Sequence, residues 1–479
     1  MITSILSFVL ASCIASTPVI KVVYPRIMPG DTICYIANVD SNFIFGSVEP
    51  PEAEFTIDGF PVEKESGGEF IAFLPVNWTN SAYTLVATHE GDTVRQALRF
   101  TQREVIAVPK LPPNITFPCV LRLEGRVART DPLGAYYIFP SPGTLCLATA
   151  WSKGYFELPL GGSGRTAWID ESYVDEILDV DKLDSPSIWN GEVRESARSA
   201  DLRLQVGKAL IYRVWENADN TCIYVELYNA VSHIDRIRYD PDVSPIRDIT
   251  WDQSAPGIIT LEISLSEPAW GYNVDWDDGD FVLSVRKPPH FKRGIKDLRI
   301  VLDPGHGGDQ FGAVGPSGLK EKDANLKLAL ELARLLERRG ADVILTRDRD
   351  VDVGLGKRIE IADSVKADIL ISLHHNALPD GVNPFGKLGT GTNYYYPQSR
   401  DLADYVQREV VKTLGIPDEG VYYHNLALVR ATGMPSILLE SAYIMLPEHE
   451  KLISEEGYNE RLARAIYKGL KCFVKARKG

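Results

Sequence analysis

The sequence predicts a multidomain chain: N-terminal all-β modules followed by a C-terminal α/β domain with a mostly parallel sheet and helices on both faces. Three observations carry this reading. At 479 residues the chain exceeds what one ordinary hydrophobic core holds. Up to about residue 287, short β-rich runs alternate with turn signals, the spacing of sandwiches and barrels. From about residue 297, strand-like and helix-like segments alternate instead, which implies right-handed crossovers and parallel pairing.

In chain order, the first segment is "MITSILSFVLASCIAS", apolar but too short to cross a bilayer. It reads as an export signal over residues 1–18, which places the protein in the periplasm, the cell envelope or at the cell surface. Leu10-Ala11-Ser12-Cys13 resembles a bacterial lipobox, which implies a lipid on Cys13 and attachment to a membrane. No Lys or Arg precedes the apolar run, so two further readings stay open: an ordinary secretory signal, and a buried first strand with an incidental cysteine.

Residues 19–104 carry strand-like runs ("IKVVY", "EFTIDGF", "EFIAFLPV", "YTLVATHE") and resemble bacterial immunoglobulin-like modules. A proline-rich linker, "AVPKLPPNITFP", follows. Residues 114–180 resemble bacterial SH3-like barrels, through short strands, tight turns and a late Trp168-Ile169-Asp170. Such barrels bind cell-wall peptides, and Tyr136, Tyr137, Trp151, Tyr155 and Trp168 are candidate groove residues, although aromatics of a small core explain them more simply. Cys119 and Cys146 fall in this module and could pair in an oxidising compartment; the six cysteines form no metal-ligand spacing. Residues 185–287 are again β-rich and resemble wall-targeting modules. Their "DWDDGD" lacks the ligand spacing of a calcium loop and reads as a charged hairpin turn.

"KPPHFKRGIKD" reads as a linker into the last domain, residues 297–479. There "LRIVLD", "ADVILTR", "ADILISLH", "TNYYYP" and "SILLES" read as strands. "EKDANLKLALELARLLERRG", stopped by Gly340, reads as a helix, as do "GKRIEIADSVK", "SRDLADYVQREVVKTLG" and "YNERLARAIYKGLKCFVKA".

A net charge of −14, with only short basic patches ("KPPHFKRGIK", "KARKG"), argues against a nucleic-acid partner. Ligands of open α/β sheets bind beyond the carboxyl ends of the strands. Three of the expected strands end there on metal-ligating or acid–base residues: "RIVLDPGHGG" leads to His306, "DILISLHHN" to His374 and His375, and "SILLES" to Glu440. Glu321 opens the helix after the first strand. Two histidines and a carboxylate make the protein ligand set of a catalytic zinc, and a fourth residue is then left to act as general base.

"IVLDPGHGGDQFGAVGPSGLKEKDANLKLALELARLLERRG", "ADILISLHHNA" and "GMPSILLESAYI" together resemble the zinc-dependent N-acetylmuramoyl-L-alanine amidases of bacterial cell walls, over roughly residues 297–478. The resemblance implies one zinc ion held by His306, Glu321 and His374, with Glu440 as general base and peptidoglycan as substrate. The family's small residue after the second histidine is here His375, which is expected to turn away from the metal. Asp303, His375 and Asn376 are candidates for orienting the ligands. Arg347 and Arg358 are candidates for substrate carboxylates, against a simpler expectation of surface pairing with nearby acids. His424 is a weaker candidate for lining the cleft. The loop "LPDGVNPFGKLGTG" is too short for the helical plug that some relatives insert here, so no activator is expected. Two alternatives stay open: a zinc peptidase or deacylase on a related fold, and a catalytically dead wall-binding protein.

Overall fold

The computed structural model describes residues 17–27, 32–102, 115–125 and 127–477. The export signal with Cys13 and most of the proline-rich linker lie outside the described residues. Among the described residues, no helix is long and apolar enough to cross a membrane.

Alternating apolar residues in the first segment build two facing sheets. One joins Val19–Tyr24, Ser41–Glu49 and Glu69–Pro75; the other joins Cys34–Ile36, Asp92–Gln102, Ala82–His89, Glu54–Ile57 and Phe60–Pro61. Phe55, Phe70, Tyr83, Leu85 and Phe100 fill the space between them. The second module pairs Tyr136–Ile138, Ala128–Arg129, Thr166–Asp170, Tyr155–Pro159 and Ala150–Ser152 in one sheet, and Leu145–Ala148, Cys119–Leu123 and Val174–Leu178 in another. Cys119 lies opposite Ala148 and Cys146 opposite Leu121, and both thiols are free. The third module stacks a five-stranded on a four-stranded sheet between Ser187 and Arg286. Its Ile211, Tyr228 and Ile258 enter the core of the second module, so these two modules share packing. "DWDDGD" is the expected hairpin, Asp277 pairing with Asp280, and Arg203 bridges both carboxylates.

The segment read as a linker, residues 287–297, is packed rather than free. Phe291 and Ile295 are buried in the core of the last domain together with Trp270. Two apolar side chains within eleven mostly polar residues are enough to seat it.

The last domain contains β1 (Arg299–Pro304), α1 (Glu321–Arg338), β2 (Asp342–Leu345), α2 (Leu355–Ser364), β3 (Ile369–Asn376), β4 (Thr390–Tyr394), α3 (Pro397–Leu414), β5 (Asp418–Tyr423), β6 (Ser436–Tyr443), α4 (Pro447–Ser454) and α5 (Tyr458–Ala476). The strand order is β2-β1-β3-β6-β4-β5, all neighbours parallel except β4 against β6. β5 and α4 have no counterpart in the sequence reading. β5 sits at a sheet edge and α4 is a single short helix, so neither carries a long apolar pattern. Side-chain alternation splits the core in two. Ile300, Leu302, Ile371 and Leu373 face α1, α3 and α5, whereas Val301 and Leu370 face α2.

Candidate active site

Parallel register brings the strand-end residues together. Asp303 pairs with Ser372, Pro304 with Leu373, and His374 with Glu440. His374 and Glu440 therefore stand side by side on adjacent strands, about 4.8 Å apart in the pairing direction. His306 arrives from the turn after β1 and Glu321 from the first residue of α1.

The side chains converge. His306 Nε2 lies 3.1 Å from Glu321 Oε2, and His374 Nδ1 lies 2.9 Å from Glu321 Oε1. One ligand atom from each residue lies within 4.8 Å of the others. On a tetrahedral zinc with bonds of about 2.1 Å, two donors sit about 3.4 Å apart, so this set is close to the spacing a single cation needs. His306 is the most open of the three, with 32% of its side chain exposed, which puts the solvent-facing side of the site there.

The first turn is built for close approach. His306 adopts φ +61°, in the left-handed region that non-glycine residues rarely occupy. Two guanidinium groups clamp the turn in that shape. Arg347 donates from Nε to the Pro304 carbonyl and from Nη2 to that of Gly305, both at 2.9 Å. Arg358 donates from Nη1 to the Pro304 carbonyl at 2.8 Å and from Nη2 to that of His306 at 2.9 Å. Gly305 passes so close to His374 that an added Cβ would lie 2.1 Å from the imidazole ring.

Electrostatics follow from these contacts. Burial works to raise the Glu321 carboxyl, but the His306 and His374 rings bonded to it hold it well below the usual carboxylate range. Burial works against a charge on His374, yet Glu321, and behind it Glu440, lift its pKa to about 9. Glu440 is pushed up to about 8, chiefly by burial, with His374 pulling it down and Glu321 and Glu419 adding to the rise. Its Oε2 is enclosed and has no hydrogen-bond partner. An enclosed, unpartnered carboxylate oxygen beside a metal-competent triad is suited to holding a proton in transit.

Residues named from the sequence separate into distinct places. His375 leaves the sheet on the face of Ile371 and Leu373. Its Nδ1 is 2.7 Å from Asn325 Oδ1 of α1, and its Nε2 is 3.3 Å from the Tyr458 hydroxyl of α5. Burial lowers its pKa to about 4. Asp303 is fully buried and accepts from Arg358 Nη1 at 2.7 Å, the Thr346 hydroxyl at 2.5 Å and the Ser372 hydroxyl at 2.6 Å. Asn376 folds its carboxamide oxygen back onto the Ala377 amide at 2.8 Å. His424 binds Asn393 at 3.1 Å, away from the triad. Arg347 and Arg358 correct the expectation of surface pairing. Both are only 3% exposed, because the carbonyls of the 304–306 turn, and Asp303 for Arg358, take their donors.

Asn325 was not singled out from the sequence. It donates to Glu321 Oε1 at 3.2 Å and accepts from His375, tying the two together. Its position four residues after Glu321 on one helix face was the available signal. Ser441, whose hydroxyl donates to the His374 carbonyl at 3.2 Å, gave none.

Residues 300–472 match the family model described as N-acetylmuramoyl-L-alanine amidase. A probable cell wall amidase, LytH of Staphylococcus aureus, is 35% identical over 187 residues, which are 39% of this chain and 61% of that protein. The chain thus spans less than two thirds of the length of the curated relatives it matches. Among solved structures, the N-acetylmuramoyl-L-alanine amidase AmiC2 of Nostoc punctiforme is 33% identical, the match covering 37% of this chain and 97% of that one with a TM-score of 0.35. The catalytic domain of CwlV, an N-acetylmuramoyl-L-alanine amidase from Bacillus (Paenibacillus) polymyxa var. colistinus, is 30% identical over 37% of this chain and 98% of that one, also with a TM-score of 0.35. The segment 300–472 of this chain is a domain of the N-acetylmuramoyl-L-alanine amidase family.

Proposed function

We propose that this chain is an exported zinc amidase that hydrolyses the amide between N-acetylmuramic acid and L-alanine in peptidoglycan. The observation that supports it most is the convergence of His306, Glu321 and His374 beside the enclosed carboxylate of Glu440. A zinc ion held by the three ligands supplies Lewis-acid polarisation of the scissile carbonyl and acidifies water at neutral pH. The positive charge of a zinc ion beside it would favour the ionised form of Glu440, which would take a proton from the attacking water as the water oxygen bonds to the carbonyl carbon. The same carboxyl returns that proton to the alanine nitrogen as the C–N bond breaks, and water's second proton passes to the amine, leaving a lactyl carboxylate and an alanine ammonium. Asp303, Arg347 and Arg358 hold the His306 turn and do not touch substrate. The N-terminal modules serve to bind the wall or reach into it, and lipidation of Cys13 would tether the enzyme to a membrane.

Residues 377–389 form a helix-free loop beside the site. Its Asp380 accepts from the Tyr24 hydroxyl and from the Ala37 amide, the latter at 2.7 Å. These contacts tie the loop to the first module, which supports the reading that the enzyme needs no activating partner.

The test uses the purified full chain alone on purified peptidoglycan. Wild type should contain about one zinc per chain and release stem peptides, with a new free amine on alanine. Glu440→Ala should keep the zinc and lose about 10²–10⁴-fold in rate. Equal cleavage by both proteins removes Glu440 as base. Inertness of a zinc-loaded wild type until another protein is added removes the claim of independence.

A further inference from the structure

One sizeable cavity among the described residues has no wall in common with the metal-competent triad. It lies where the second module, the third module and the last domain meet, and encloses about 680 Å³. That is within the range of small-molecule ligand sites, roughly 300–1,000 Å³. Much of its wall comes from residues 136–139, 212–218 and 272–274, outside the segment matched to the amidase family.

The strand register places it away from the chemistry. β4 runs antiparallel to β6, with Gly391 opposite Glu440 and Asn393 opposite Leu438. Tyr394 and Tyr395, which line the cavity, therefore stand at the other end of β6, about 10 and 14 Å of strand from Glu440. β5 runs parallel to β4 and delivers Tyr423 to the same rim.

The lining has a consistent chemistry. Tyr395 and Tyr423 stack at 5.1 Å and 15°, and Trp215 and Tyr137 carry the Arg213 guanidinium between them. Among these rings sit enclosed polar atoms without hydrogen-bond partners, Glu216 Oε1, Arg430 Nε and the Tyr272 hydroxyl. Burial pushes the Glu216 carboxyl up to about 8, so at neutral pH it is uncharged and can both donate and accept. Buried polar groups ordinarily have partners, and an orphan acceptor and an orphan donor in one cavity mark a ligand that supplies both. A pyranose fits those demands. Its C–H faces stack on aromatic rings, and its edge hydroxyl and acetamido groups donate and accept in the ring plane. A purely apolar ligand would leave these groups unpaired.

We propose that this three-module cavity is a saccharide-binding site for N-acetylated pyranose units, separate from the catalytic rim. That the saccharide is the glycan strand of the cell wall rests on the proposed function. Held there, a strand is anchored on one rim of the sheet while the other rim cleaves, so the site raises retention on intact wall without entering the reaction.

The full chain is titrated calorimetrically with the tetramer of N-acetylglucosamine and, separately, with a free stem tripeptide. The tetramer should bind and the tripeptide should not. Trp215→Ala and Glu216→Leu should each weaken tetramer binding at least tenfold, while Trp215→Phe keeps most of it. All three variants should hydrolyse a soluble muramoyl tripeptide at the wild-type rate, which also shows that they fold, and the first two should degrade intact sacculi more slowly. Absence of tetramer binding by wild type, binding unchanged in both Trp215→Ala and Glu216→Leu, or preference for the tripeptide overturns the site. A wild type that binds the tetramer but leaves the muramoyl tripeptide intact overturns the proposed function and leaves the site standing.

Discussion

His374 and His375 are consecutive in β3, and their rings leave the sheet on opposite faces. His374 meets Glu321 at the rim, while His375 is 1% exposed between Asn325 and Tyr458. His375→Ala should therefore leave zinc content unchanged. It should lower stability by about 1–3 kcal/mol through the unpaired Asn325 carboxamide, read by urea unfolding with metal analysis on the same sample. Loss of zinc on this substitution would shift the ligand register by one residue. Glu216 supplies a second residue-scale expectation. Its folded pKa of about 8 stands above the ordinary 4.5. Between those values the unfolded carboxyl is ionised while the folded one keeps its proton. Stability from this group is thus fully present below pH 4.5 and is lost as pH rises through 8. Glu216→Gln should raise the melting temperature, and by more at pH 8.5 than at pH 5; an equal gain at both would mean that burial does not hold the carboxyl neutral.

At the scale of elements, the β1–α1 turn is shaped by side chains from two later segments. Arg347 follows β2 and Arg358 lies in α2, and both donate into the 304–306 carbonyls. The Asp303–Arg358 pair is almost wholly buried, with side chains 1% and 4% exposed. Arg358→Met keeps the bulk of the side chain but strands the Asp303 charge, which should cost about 3–5 kcal/mol in chemical denaturation. Zinc affinity should fall with it, because the left-handed His306 backbone loses one of its clamps. Unchanged stability would show that the pair is solvated. Strand and helix identities in this domain were legible because their patterns are long: α1 spans Glu321–Arg338 and stops before Gly340 at φ +88°. β5 and α4 were not legible, being a half-exposed edge strand and a helix of eight residues. The antiparallel turn of β4 was equally hidden, since strand direction is set by where α3 and β6 pack and not by the composition of "TNYYYP".

At the scale of the whole molecule, the modules are not beads on a string. Trp270 donates from its indole nitrogen to the Asp368 carbonyl at 2.8 Å, inside the core of the last domain. Arg286 donates to the Ala367 and Gly433 carbonyls at 2.6 and 2.7 Å and pairs with Asp368 at 3.1 Å. The first module reaches the end of β6 that follows Glu440, where Phe43 and Phe45 pack with Tyr443, Met445 and Leu446. A fragment starting at residue 297 should therefore be less stable than one starting at residue 185. The deficit should be several degrees in melting temperature, because an indole cavity opens and Asp368 loses its partner. Equal melting temperatures would mean that the third module is only appended.

The sequence by itself determined a strand-rich first part and the alternation of strands and helices after residue 297, and it singled out His306, Glu321, His374 and Glu440 as candidates. Each is written locally, in period, in turn residues, or in the rule that functional groups gather at the carboxyl ends of parallel strands. Only the tertiary structure decided the rest. It set the face each histidine takes, the burial of Arg347 and Arg358, the part played by Asn325, and the seating of the supposed linker. It also assembled a cavity from three modules, with walls more than two hundred residues apart in sequence, from Tyr137 to Tyr423. These features depend on which surfaces meet, and burial and hydrogen-bond satisfaction across such contacts leave no period in the chain that builds them.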